Sequence, residues 1–174
     1  IWGANAVNGV INLVSKSARD TQGGLIYGGA GNVQLALGGA RYGDRIGEST
    51  YYRVYGNYQL GDDYRMPGGA PGDDSWDLGK VGFRLDHYAD PGSQLTWQGD
   101  AYTGNIADRV GSQSGFNTLG RWTRHYSERA GLEIQGYVDR FQRDDDLTNY
   151  RTDIADLSIQ QTLGLGGRHD VILG

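Results

Sequence analysis

The sequence contains no cysteine, which excludes disulfides and thiolate metal sites. That fits an oxidising compartment without requiring one. Proline is scarce, at 3 residues, so a Pro/Gly-rich disordered chain is excluded as well. No apolar run approaches the ~18 residues of a transmembrane helix, and mean hydropathy is −0.57. Transmembrane strands stay open, because a barrel strand alternates apolar and polar residues and averages to low hydropathy. No stretch interleaves basic with aromatic residues, and with a net charge of −5 this argues against a nucleic-acid partner. Catalytic patterns are missing too. His87, His125 and His169 stand on separate segments without metal-ligand spacing. Gly28-Gly29-Ala30-Gly31 lacks the Lys-Ser/Thr and the helix of a phosphate loop. Gly111-Ser112-Gln113-Ser114-Gly115 has Gln where a nucleophile elbow needs Ser. The chain reads as no enzyme, with no cofactor and no metal site.

What is present is glycine, at 30 of 174 residues, with 12 Tyr and 4 Trp against only 3 Phe. Amphipathic aromatics in excess over Phe suit surfaces that meet both apolar groups and water. Alternation with period two runs through the chain and predicts an all-β fold: an antiparallel up-and-down meander of about nine strands. The clearest segment is 50–60. One side carries Tyr51, Arg53, Tyr55, Asn57 and Gln59; the other carries Tyr52, Val54, Gly56, Tyr58 and Leu60. Further strands are expected over 24–30, 34–42, 76–88, 94–106, 118–127, 132–139 and 153–163, with a ninth starting at His169.

From the second strand onward the expected connections alternate in length. Short turns fall near Gly43–Ser49, Asp90–Ser93, Glu128–Gly131 and Gly164–Gly167. Longer polar loops fall at Gly61–Ser75, Ala107–Asn117 and Asp144–Thr152. In a meander every second connection lies on the same side, so one side is predicted to carry short turns and the other long loops, as in outer-membrane barrels. Strands of ~10 residues also exceed the ~5–6 of globular sheets and match a tilted bilayer crossing.

The opening differs from everything after it. Residues 1–16 combine a small-residue turn, Gly9, and the apolar run Val10-Ile11-Asn12-Leu13-Val14, a pattern of a strand buried on both faces. Trp2-Gly3-Ala4-Asn5-Ala6-Val7-Asn8-Gly9-Val10-Ile11-Asn12-Leu13-Val14-Ser15-Lys16 resembles the end of the plug domain in TonB-dependent outer-membrane receptors. Trp2, Gly3, Asn5, Gly9 and Asn12 carry that motif. The resemblance implies three parts: the end of a plug at 1–16, a linker at 17–23, and the first part of a transmembrane β-barrel at 24–174. It further implies an internal fragment of a Gram-negative outer-membrane transporter with ~22 strands. The intact receptor would take up a scarce nutrient such as a ferric siderophore, haem or cobalamin. Its partners would be the TonB energy-coupling protein, the nutrient (a metal chelate or other small ligand) and outer-membrane lipid. The fragment alone is not expected to transport. Its open strand edges are expected to drive self-association.

Four residues are candidates for ligand contact: Arg53 and Arg84 on polar strand faces, where an anion or the plug could meet them, and Tyr64 and Arg65 in the first long loop. Asp62-Asp63, Asp73-Asp74 and Asp144-Asp145-Asp146 lack calcium-loop spacing and read as solvated loop charge. Two rival readings remain: a non-TonB porin or adhesin barrel, and a soluble antiparallel β-sheet binding module for carbohydrate or protein.

Overall fold

A computed structural model describes residues 14–107, 111–144, 146, 149–166 and 169–174. The expected strand Val10–Val14 and the motif residues Trp2, Gly3, Asn5, Gly9 and Asn12 lie outside these, apart from Val14, which is exposed and in no strand. One turn of 3-10 helix, Arg19–Thr21, precedes nine strands: β1 Gly23–Gly29, β2 Ala36–Ile46, β3 Thr50–Gly61, β4 Trp76–Asp90, β5 Ser93–Ile106, β6 Gly111–Ser127, β7 Ala130–Asp144, β8 Asn149–Leu165 and β9 His169–Leu173. Each pairs antiparallel with the next, in the order β1 to β9, so the all-β meander expected from the alternation is the fold. The sheet is open: β1 and β9 are its two edges.

Two connections expected to be long are short. β6 begins at Gly111 and β8 at Asn149, so most of 107–117 and 144–152 is strand. Pairing on both sides draws in Gly111–Asn117, which has little strand propensity of its own: Ser112, for instance, faces Asn105 of β5 and Asp144 of β7. Likewise β2 runs on to Ile46, and the turn after it is confined to 47–49, with Gly47 at a φ of 66°. The side-to-side asymmetry persists mainly through the connection at 62–75, opposite the tight turns at 47–49, 91–92 and 128–129. Register shifts at Tyr88/Asp90 and His125/Ser127 sit beside those tight turns.

The sheet is a single layer. An amphipathic sheet in water needs a second layer over its apolar face, and among the described residues none is present. Ala18 is the one fully buried apolar residue among them, while Val81, Trp97 and Leu157 are 61%, 52% and 71% exposed.

Candidate functional site: the two faces of the sheet

Direct cross-strand partners share a face, so the register sorts every side chain. Arg53 faces Arg84, Arg84 faces Gln98, and Asp100 faces Asn117 on the polar face. Val54 faces Phe83, Val81 faces Ala101, and Trp122 faces Ile134 on the apolar face.

The polar face holds the segment that leads into β1. Asp86 is wholly buried there. Its carboxylate accepts the Ala18 backbone N–H at 2.7 Å, the Thr96 hydroxyl at 2.8 Å, and Arg84 Nε and Nη2 at 2.9 and 3.0 Å. Arg84 Nη1 donates onward to Ser15 Oγ at 2.9 Å and to Gln98 Oε1 at 3.2 Å. Arg53 Nη1 donates to the Lys16 carbonyl at 3.1 Å and to Thr21 Oγ1 at 3.2 Å. The Arg19 guanidinium lies 5.6 Å from the Tyr51 ring centroid and 6.0 Å from that of Tyr88, a cation–π contact with both. Gly43 permits the approach, since a Cβ there would strike the Thr21 carbonyl. The expected linker is therefore held against β2, β3 and β4. A polar cavity of about 330 Å³ remains beside it, lined among others by Ser15, Arg84, Gln98 and Arg121.

The register brings Arg53 and Arg84 together as direct partners, and their hydrogen bonds go to residues 15–21, to Asp86 and to Gln98. Tyr64 and Arg65 are not part of that group. They lie in the connection beyond Gly61, eight residues along β3 from Arg53, or ~26 Å at the usual rise. This connection is itself ordered by its acids. Asp74 accepts the Tyr64 N–H at 2.7 Å, Asp63 accepts the Ser75 N–H at 2.8 Å, and Arg65 Nη1 donates to the Gly69 carbonyl at 3.2 Å. The Tyr64 side chain is exposed. Among the described residues no group of three His, Cys, Asp or Glu side chains could hold a metal ion.

Sequence reading did not single out Asp86, Thr96 or Ser15, nor the larger cavity of about 610 Å³ beside Trp76, Asp62, Asp63 and Asn105. A polar side chain on an alternating strand gives no local sign of enclosure. The nearest signal was the pair Arg84 and Asp86, two apart on one face.

Among the described residues nothing covers the apolar face. Across β3 to β8 it presents Val54, Tyr58, Val81, Phe83, Trp97, Phe116, Val138, Leu157 and Ile159, with charge only toward the strand ends. Tyr42, Tyr52, Trp97 and Trp122 gather toward the tight-turn end, and the Tyr42 and Tyr52 rings lie 6.5 Å apart. Comparison with known protein families, with characterised proteins and with solved structures finds no match to this chain.

Proposed function

We propose that this chain is part of the wall of a transmembrane β-barrel, in a TonB-dependent outer-membrane receptor that imports a scarce nutrient such as a metal chelate, haem or cobalamin. The observation that carries the membrane part is a nine-stranded sheet whose apolar face is uncovered among the described residues while its polar face is hydrogen-bonded. In water that arrangement exposes large aliphatic and aromatic side chains. In a bilayer the same face is solvated by acyl chains, and the polar face turns to a lumen. The receptor part is supported by the opening motif and by the docked segment 15–22, which is placed to feed a plug onto the lumenal side. A porin or adhesin has no need of such a segment. On this reading the tight turns are periplasmic and the connection at 62–75 is extracellular. Arg53 and Arg84 then anchor the plug-to-barrel linker, and Tyr64 with Arg65 is the better placed pair for an incoming ligand.

Dilution of the urea-unfolded chain into detergent, lipid vesicles or plain buffer tests the proposal. Circular dichroism and unheated gel migration are the readouts. Strand signal and a heat-modifiable band are expected with detergent or lipid alone. A cooperative, monomeric, strand-rich species in plain buffer would return the chain to the soluble-module reading.

A further inference from the structure

The charges on the polar face do not balance. By register this face of β1 to β4 carries Arg41, Arg45, Arg53, Lys80 and Arg84, with Asp86 as its one acid. Asp86 is taken by Arg84. Lys80 turns to Asp100 of β5, at 3.3 Å. Asp44 lies on the other face, as the partner of Tyr52. Arg53 meets neutral acceptors only, the Lys16 carbonyl and Thr21 Oγ1, and both bonds use Nη1. Arg41 forms no ion pair and no hydrogen bond among the described residues, and its Nε is buried without an acceptor. A buried N–H that finds no acceptor gives up its hydration uncompensated. The two unmatched cations are neighbours. Arg41 is the direct partner of Tyr55, two residues from Arg53 on the same face. Such diagonal positions stand ~7–8 Å apart, within reach of long side chains, and the charge of Arg41 acts on Arg53. The position directly opposite Arg53 is Gly43, so β2 puts no side chain between them.

We propose that Arg41 and Arg53 form a binding site for a small free oxyanion, a carboxylate or a phosphate, on the polar face of β2 and β3. A guanidinium edge, Nε–H with one Nη–H, presents two parallel donors that match two oxygens of such an anion. Arg41 offers this edge with its enclosed Nε unsatisfied, and Arg53 adds a second charge with Nε and Nη2 unused among the described residues. The segment docked beside Gly43 does not supply the anion. Residues 1–19 contain no Asp or Glu, and Asp20 is engaged by the Ser17 hydroxyl. Arg84 is not part of the site, because Asp86 already neutralises it. The inference goes beyond the proposed function and does not depend on it. The polar face meets water whether it lines a lumen or forms one side of a soluble sheet.

Titration of the refolded chain with inorganic phosphate and with citrate, at low salt, tests the site. It is run in whichever medium the chain folds, detergent or plain buffer, so a failure of the membrane reading leaves the site measurable. Arg41→Gln removes the unpaired cation, and its strand signal in circular dichroism is expected to match that of the unaltered chain. Arg45→Gln removes the same charge from the same face of β2, at an exposed position, and reports diffuse attraction alone. Saturable binding of either probe is expected, weakened about tenfold or more by Arg41→Gln and less than about twofold by Arg45→Gln. Arg41→Lys keeps the charge and loses the paired donors, so it too should weaken binding; this variant carries the test if Arg41→Gln does not fold. No saturable binding of either probe up to about 10 mM, equal weakening by Arg41→Gln and Arg45→Gln, or unchanged affinity in Arg41→Lys would overturn the proposal.

Discussion

A carboxylate as enclosed as that of Asp86 needs its lone pairs occupied, and here the linker, a threonine and an arginine occupy them. Asp86→Ala removes the acceptor of the Ala18 N–H and strips Arg84 of its counter-ion. Breaking such a buried pair costs about 3–5 kcal/mol. The expected outcome is a linker freed from the sheet, with trypsin cleavage after Lys16 and Arg19 accelerated at least tenfold in the refolded chain. Asp86→Asn, which keeps the side-chain volume and one acceptor, is expected to fall between. Unchanged cleavage in Asp86→Ala would show that Asp86 does not hold this segment. None of this was readable one residue at a time. Arg53 and Arg84 stood out as cations on polar faces, but that they are direct partners depends on the β3–β4 register, and that both reach for backbone groups of 15–16 depends on the path of the linker.

At the scale of strands, the excess of glycine has a packing cause. Four glycines on the polar face are direct partners of an aromatic residue: Gly39 of Tyr27, Gly61 of Trp76, Gly82 of Tyr55 and Gly115 of Tyr102. In each pair a Cβ on the glycine would collide with the ring. The ring lies across the neighbouring strand and shields backbone that a larger residue would push away. Gly104 is constrained differently, since a Cβ there would meet the Asp77 carbonyl oxygen, which cannot step aside without moving β4. Gly120 on the apolar face meets nothing within 4 Å. Gly104→Ala is therefore expected to lower refolding stability by about 1–3 kcal/mol. Gly120→Ala should be neutral or stabilising by up to about 1 kcal/mol, because it removes glycine's backbone entropy from a strand. Urea titration of both variants in the same detergent checks the contrast, and equal losses would refute it. Strands such as 50–60 and 76–88 were legible because apolar and polar residues alternate through their middles, as Val81, Phe83 and Leu85 do with Lys80, Arg84 and Asp86. Gly111–Asn117 was not, since Gly-Ser-Gln-Ser-Gly carries a strand only when both neighbours supply partners.

For the whole molecule the unresolved demand is at the edges. β9 pairs with β8 over Gln161–Leu165 alone, so from Asn149 to Gln160 the far side of β8 has no strand beside it among the described residues. The outer side of β1 also has no strand beside it among the described residues. A sheet edge of this length is a template for another strand. Detergent satisfies the apolar face but not these backbone groups. The chain should therefore remain associated in detergent, by edge-to-edge pairing, even when its apolar face is solvated. Light scattering on the detergent complex, corrected for bound detergent, should give a dimer or larger species. Hydrogen exchange should show amides in 149–160 that are protected at high protein concentration and exposed on dilution. Association with unprotected β8 amides would place the contact elsewhere, and a detergent monomer with those amides already protected would mean that the edges find each other within one chain. That last outcome would turn an open nine-stranded sheet into a small closed barrel.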